Sequence, residues 1–196
     1  MRVQRGELVF AKSLKDHNDG ISEEKLERAR LAYRHSKYGH RNQWRDSGER
    51  YFEHPKRVAR ILGDELSIWD VEMHESALLH DVMEDTFLLT WKDLKRIFGP
   101  RVYRLVRLLT KDPKPNKRQK KTYLANIANA TEDVKILKLA DRLDNVRSLS
   151  ACTPDKQARN LKETKEFFIP LARQTNAYLA QELEKACAAI EEQGLI

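Results

Sequence analysis

An all-α fold of roughly eight to ten helices is the architecture this sequence predicts, and three observations predict it. Apolar residues recur at three- and four-residue spacing nearly throughout, no alternating strand pattern runs longer than a few residues, and capping residues and prolines divide the apolar stretches into helical lengths. With 196 residues and 40% hydrophobic content, the chain can bury one well-packed core. Residues 21–196 therefore read as a single domain behind an N-terminal extension, residues 1–20. No repeat of fixed period and no low-complexity segment interrupts it.

Taken in order, Ser22 caps the first strongly patterned helix, EEKLERARLAYRHSKY, whose apolar face is Leu26, Ala29, Leu31, Ala32 and Tyr33. A second helix starts near His54-Pro55, because proline suits a first turn, and runs through Val58, Ile61 and Leu62. The third carries ALLHDVMEDT, residues 77–86. Thr90-Trp91-Lys92-Asp93 is a capping box for a short helix ending at Phe98-Gly99-Pro100. Further helices cover VYRLVRLLT and KTYLANIANA. Thr131, followed by Glu132 and Asp133 at the positive end of the dipole, opens VKILKLADRLDNVRSL. Thr153-Pro154-Asp155 starts the last section, through NLKETKEFFIPLAR and TNAYLAQELEKACAAIEEQ. Trp44, Trp69 and Trp91 read as core anchors, and Lys56, Arg57 and Arg60 as charges that solvate a helix.

Charge and cysteine content narrow the functional classes. The 37 basic against 30 acidic residues give +7, a balance that attracts polyanions. Much of the excess lies in KDPKPNKRQKK, residues 111–121, where two prolines rule out a regular helix across the first half. The two cysteines, Cys152 and Cys187, form no CxxC pattern, so neither a disulfide framework nor a thiolate zinc site is expected. The N-terminus has no long apolar targeting region, and no stretch approaches the ~18 apolar residues of a membrane span. The expected location is the cytoplasm, with no membrane partner.

ALLHDVMEDT is the stretch that asks for a cation. At 100° per residue His80, Asp81, Glu84 and Asp85 fall at about 0°, 100°, 40° and 140° on a helical wheel, so all four share one face. Burying an imidazole with three carboxylates raises carboxyl pKa values through like-charge repulsion and desolvation. A divalent cation relieves that conflict; so does a solvated acidic face, and this helix alone does not choose between them. Two other segments weigh toward the cation. In KLADRLDN, Asp141 stands between Leu139, Ala140 and Leu143, with Asn145 four residues on and on the same face. His54 sits at a helix start after the turn containing Ser47-Gly48. His54, His80, Asp81 and Asp141 are thus candidate ligands from three helices. Two imidazoles and two carboxylates suit Mn²⁺, Fe²⁺ or Zn²⁺ better than Mg²⁺, which prefers an all-oxygen shell.

A lone histidine, a tandem His-Asp and a distant Asp on successive helices resemble the HD superfamily of metal-dependent phosphohydrolases. Longer strings sharpen the likeness. HRNQWRDSGERY (40–51) leading to His54-Pro55, then ALLHDVMEDT, then KLADRLDNVRSL, resemble the hydrolase domain of the RelA/SpoT alarmone enzymes, as does ETKEFFIPLAR (163–173). The similarity covers roughly residues 25–175 in order. It implies an HD-domain helical bundle and a Mn²⁺-dependent removal of the 3′-pyrophosphate from guanosine 3′,5′-bis(diphosphate) and its pentaphosphate relative. It further implies His54, His80, Asp81 and Asp141 as metal ligands, and Glu84 with Asp85 as the pair that orients and deprotonates the attacking water. Arg45 matches the arginine that packs against the purine, Asn145 the asparagine near the ribose, and Ser148 a small hydroxyl residue that meets the base. Lys138, Arg142 and the 111–121 segment are candidates for meeting the charge of the leaving pyrophosphate.

The chain departs from the family's usual strings at Asn42 (often glycine), Asp46 (lysine), Arg50 (proline) and Asp144 (histidine). None of these removes a ligand or the acidic pair, but three lie beside the expected nucleoside pocket and leave the base open between guanosine and adenosine. The chain ends at Ile196 with no room for a synthetase or regulatory domain, so it reads as a stand-alone small hydrolase. Its expected partner is a small-molecule nucleotide; nucleic acid is disfavoured because the charge is moderate and no nucleic-acid motif is present. The alternatives are an HD phosphohydrolase of another nucleotide and an alarmone sensor that binds without cleaving, against which the intact Glu84-Asp85 pair speaks. Oligomeric state is not legible.

Overall fold

A computed structural model describes residues 5–112 and 114–192; Met1 to Gln4 of the N-terminal extension and Pro113 of the basic segment lie outside the described residues. Along the chain run α1 (Arg5–Asp16), α2 (Glu23–Gly39), α3 (Glu53–Arg60), α4 (Val71–Leu79), α5 (Val82–Asp85), α6 (Trp91–Leu109), α7 (Lys117–Ala128), α8 (Glu132–Arg147), α9 (Pro154–Glu163), α10 (Ile169–Thr175) and α11 (Ala177–Glu192). A π-helical turn, Ile61–Glu65, continues α3, and another, Thr164–Phe168, joins α9 to α10. With these joined, and α4 and α5 taken as one interrupted rod, the described residues form nine helical rods, inside the expected range. There is no strand among the described residues, only an isolated antiparallel bridge between Trp44 and Arg50.

The capping chemistry shows at the helix starts. Ser22 accepts from the Lys25 N–H, and Thr90 and Asp93 form a reciprocal capping box. The helix from Trp91 breaks where the sequence placed its end, at Gly99 with φ 87° and ψ 173°, and resumes from Pro100 under the same label. Gly63 has a different reason. A Cβ there would lie 2.7 Å from the Trp69 ring, so the indole packs flat against bare backbone.

Helix α8 is the axis of the molecule. Val134, Leu137, Leu139, Ala140, Leu143 and Val146 are each at most 1% exposed, and α3, α4, α6, α10 and α11 pack around them. Because neighbours cover almost every face, its polar residues Lys138, Asp141, Arg142 and Asp144 are buried as well. They sit where each charge needs a partner. Phe98, Phe168, Leu78 and Leu79 are fully buried in the same core, each contributing about 1.5–3 kcal/mol of transfer free energy. Helix α1 lies against α2, where the nearly buried Glu7 accepts from Arg34 at 2.8 Å.

Four expectations are corrected. Helix α4 stops at Leu79 and α5 starts at Val82, so His80 and Asp81 occupy a turn rather than mid-helix positions. The helix expected over KTYLANIANA, from Lys121, begins earlier: α7 starts at Lys117 within the basic segment, with Asn116 capping it through a reciprocal bond with Gln119. Trp44 is no core anchor: it is 59% exposed, with the Arg50 guanidinium 5.0 Å over its ring. Arg57 does more than solvate a helix, because it donates to both Glu49 and Asp144.

Candidate metal centre

Each of the four candidate ligands arrives from a different local setting. His54 stands in the first turn of α3, His80 and Asp81 in the α4–α5 turn, and Asp141 in the middle of α8. The tertiary structure brings them together. His54 Nε2 lies 3.2 Å from Asp141 Oδ1 and 3.5 Å from Asp81 Oδ2, and His80 Nε2 lies 3.2 Å from Asp81 Oδ1 and 3.8 Å from Asp141 Oδ1. Ligands about 2.0–2.2 Å from one cation stand roughly 3 Å or a little more from each other, which matches this spread.

The hydrogen bonds at the far side of each ring orient it for a cation. His54 Nδ1 donates to Asp144 Oδ2 at 2.6 Å, and His80 Nδ1 donates to the Ala77 carbonyl at 2.7 Å. Both bonds turn Nε2 toward the cluster, the arrangement that holds a metal-ligating imidazole. His80 Nε2 is buried and has no hydrogen-bond partner, an orphan that a cation would satisfy. The residues present therefore fit a divalent metal.

Electrostatics point the same way. Burial opposes charging His80, yet Asp81 and Asp141 outweigh it and hold the imidazole up at about 10. His54 is raised for the same reason, against burial, by Asp141 and Asp144. Burial opposes the charge on Asp81 and Asp141 too, but His80 and His54 for the first, and Lys138 and the two imidazoles for the second, push both carboxyls well below their usual range. The cluster thus collects protons at the place where its carboxylates demand positive charge. A divalent cation held by these residues would take the place of those protons.

Around the four ligands lie residues that position them. Asp141 accepts from Lys138 Nζ and from Asn145 Nδ2, both at 2.6 Å, and Asn145 Oδ1 accepts from Arg45 at 2.9 Å. Arg45 reaches this point because residues 43–51 fold back as a hairpin-like loop, with Arg45 N–H bonded to the Glu49 carbonyl and Tyr51 N–H to the Gln43 carbonyl. Glu84 and Asp85 follow on α5. Partial desolvation raises the pKa of both, and the Asp81 charge adds to it. Glu84 accepts from the Lys111 backbone N–H at 3.1 Å, which ties the basic segment to the site.

A cleft of about 970 Å³ opens beside Glu84 and is also lined by Lys111, Arg118, Lys120, Lys138 and Arg142. Arg142 is held there by Asn160 and Glu163, and Lys120 also pairs with Glu163. Ser148 is placed elsewhere: its hydroxyl donates to the Asp144 carbonyl, and it borders a separate cavity of about 570 Å³ with Arg57 and Ser47. So ten of the eleven expected site residues gather at the ligand cluster or along the large cleft, and Ser148 lies behind Asp144.

Residue patterns missed Tyr51, Gln43 and Arg57, and saw in Asp144 only a departure. Tyr51 OH lies 2.8 Å from Asp81 Oδ2 and 3.1 Å from Asp85 Oδ2. Arg57 Nε donates to Asp144 at 2.5 Å while its other nitrogens grip Glu49. No spacing rule links Tyr51 to Asp81, thirty residues on, or Arg57 to Asp144, 87 residues on.

The chain was compared with known proteins. The HD domain family model matches residues 32–177. The bifunctional (p)ppGpp synthase/hydrolase SpoT of Escherichia coli K12 is 38% identical over 173 residues, covering 84% of this chain and 24% of that protein. This chain thus spans about a quarter of the length of the bacterial relatives of that kind. The guanosine-3′,5′-bis(diphosphate) 3′-pyrophosphohydrolase of Danio rerio is 37% identical over 153 residues, covering 74% of this chain and 84% of that one. Among solved structures, a metazoan ortholog of SpoT that hydrolyses ppGpp superposes with a TM-score of 0.75 at 30% identity, over 91% of this chain and all of that one. A Listeria monocytogenes EGD-e protein superposes with a TM-score of 0.57 at 28% identity, over 73% of this chain and 98% of that one.

Proposed function

The chain belongs to the HD domain family, and from that premise we propose that it is a Mn²⁺-dependent hydrolase removing the 3′-pyrophosphate of guanosine 3′,5′-bis(diphosphate) and its pentaphosphate relative. The observation that carries this reading is the convergence of two Nε2 atoms and two carboxylates, each held from behind, with an acidic pair one turn away and a basic cleft beside it. Relatives of similar length act on that substrate by name.

His54, His80, Asp81 and Asp141 hold the cation, which when bound supplies Lewis acidity toward a phosphoryl oxygen and makes water a better proton donor. The mixed imidazole and carboxylate set with room for water suits Mn²⁺, Fe²⁺ or Zn²⁺, and the likeness to the alarmone hydrolases selects Mn²⁺ among them. Glu84 and Asp85 orient the attacking water and take its proton, and the upward shift of their carboxyls, caused first by burial, makes them stronger bases than an exposed carboxylate. The water oxygen ends on the 3′-phosphorus, the bond to the ribose 3′ oxygen breaks, and that oxygen is protonated. The products are GDP, or GTP from the pentaphosphate, and pyrophosphate. Arg45 and Asn145, already bonded to each other, form the nucleoside side of the site. Lys138 and Arg142 lie along the cleft with Lys111 and Lys120, where the departing charge is met. Among the described residues no helix is long and apolar enough to cross a membrane; the partner of this reading is a small-molecule nucleotide and its location the cytoplasm.

The test is an anion-exchange time course with guanosine tetraphosphate and Mn²⁺, beside a chelated control and Asp81→Ala. GDP and pyrophosphate in the first tube alone establish the reaction. Unchanged nucleotide in all three overturns it, and a parallel adenosine assay with a wider nucleotide panel then identifies the substrate.

A further inference from the structure

Asp85 is gripped twice by one loop. The Tyr51 hydroxyl lies between two carboxylates, 2.8 Å from Asp81 Oδ2 and 3.1 Å from Asp85 Oδ2. Eight residues before Tyr51, the loop's other arm reaches the same place: Gln43 Nε2 donates to the Asp85 main-chain carbonyl at 2.8 Å. Gln43 cannot turn its amide, because its Oε1 accepts from His40 Nδ1 at 2.6 Å. His40 is itself 1% exposed and stacks on the Tyr51 ring with centroids 4.7 Å apart. The Tyr51 N–H to Gln43 carbonyl bond closes the two arms on each other.

The loop is needed because of where Asp85 sits. Helix α5 is only four residues long, its N-cap Asp81 makes no side-chain cap bond, and Thr86 leaves the helical region at once. So short a helix does not hold a side chain by its own hydrogen bonds. Asp85 is also a carboxylate near the Asp81 carboxylate, and repulsion between them drives it outward. A neutral phenol resolves this: it offers one donor proton to two acceptors and brings no charge of its own.

We propose that Tyr51 and Gln43 are positioning residues for Asp85, Tyr51 fixing its carboxylate relative to the metal-ligating Asp81 and Gln43 fixing its backbone. The inference rests on the hydrolase reading for its kinetic consequence but not for its structural one. The loop that does this also carries Arg45, which contacts Asn145 on α8, so one segment links the nucleoside side of the site to the acid that handles water. A residue that only positions Asp85 has no effect once Asp85 no longer acts.

The experiment is a double-mutant cycle at saturating Mn²⁺ with Tyr51→Phe, Gln43→Ala and Asp85→Asn. Tyr51→Phe keeps the ring and its stack on His40; Gln43→Ala touches nothing on Asp81. We expect kcat to fall roughly 10–100-fold for Tyr51→Phe, as for other residues that orient a site's working groups, and less for Gln43→Ala. KM stays within about 2-fold in each, because an interaction realised at the reacting atoms is lost, not substrate binding. Neither change lowers kcat further in the Asp85→Asn background. Unchanged kcat in Tyr51→Phe, or a loss that multiplies with Asp85→Asn, overturns the proposal; a loss in Tyr51→Phe that is matched by weakened Mn²⁺ binding and disappears at higher Mn²⁺ assigns Tyr51 to Asp81 instead and overturns it as well. A crystal structure of Tyr51→Phe gives the readout that needs no substrate: the Asp85 carboxylate turned away from Asp81 supports the proposal, and an unmoved carboxylate defeats it. A wild type inactive on guanosine tetraphosphate would fail the hydrolase reading alone and leave this structural arm decisive.

Discussion

His54 donates through Nδ1 to Asp144 at 2.6 Å while Arg57 grips the other oxygen of the same carboxylate. This carboxylate–imidazole pair stands directly behind the candidate metal centre, at a position where the chain departs from the usual strings of its family. The carboxylate fixes the ring's tautomer and makes Nε2 a better ligand, and Arg57 keeps the buried charge compensated. Asp144→Asn is expected to weaken Mn²⁺ binding roughly 10–100-fold, with kcat largely restored at saturating metal. Competition against a fluorescent chelator measures the first, and activity against Mn²⁺ concentration the second.

Metal removal and return give a second outcome. A ligand that binds only the folded state stabilises it by about 2.7 kcal/mol at one hundred times its dissociation constant. For a chain of 196 residues this corresponds to roughly 5–10 °C in Tm. Chelated protein is expected to be inactive, and its Tm to rise by that amount on adding Mn²⁺. Asp141→Ala, lacking one of the four proposed ligands, should show a much smaller rise in the same scan.

Arg45→Ala tests the nucleoside side. The Arg45–Asn145 bond places a guanidinium beside Asp141 without touching Glu84 or Asp85, so its loss belongs to substrate binding. KM is expected to rise roughly tenfold or more, the worth of a charged hydrogen bond, with kcat changed far less. Initial rates across a substrate series separate the two.

Glu75 predicts a pH dependence of stability away from the site. Its side chain is fully buried, and burial, opposed by Arg28 at 2.9 Å, pushes its carboxyl up to about 7. Below the ordinary value near 4.5 both folded and unfolded chains carry the proton; between there and about 7 the folded chain holds more of it. Stability from this group is therefore full at low pH and lost as pH rises through 7, by about 3 kcal/mol in total. Glu75→Gln removes that slope. Urea titrations at pH 5 and pH 8 should show a smaller difference in the variant than in the parent.

Gly99→Ala isolates a backbone requirement. Nothing lies within 4 Å of the position a Cβ would take, yet φ is 87°, a region that side chains disfavour. A loss of about 1–3 kcal/mol is expected from conformation alone. Chemical denaturation at neutral pH measures it.

The sequence by itself determined the all-α class, the helix starts at Ser22 and Thr90, the break at Gly99 and the four candidate ligands that converge on the cluster. Those features are written in local patterns: helical spacing, a capping box, a positive-φ glycine, and ionisable groups set among apolar ones in ALLHDVMEDT and KLADRLDN. Only the tertiary structure decided which residues stand behind the ligands. Tyr51 reaches Asp81 and Asp85, Arg57 reaches Asp144, and Gln43 reaches the Asp85 backbone across separations that no periodicity encodes. It also decided that His80 and Asp81 sit in the turn between α4 and α5, which helical periodicity did not mark. A short-range pattern reports the backbone and the face a residue takes; which distant group meets it there is settled by how helices pack around α8, and that is where the donors and acceptors of this site were chosen.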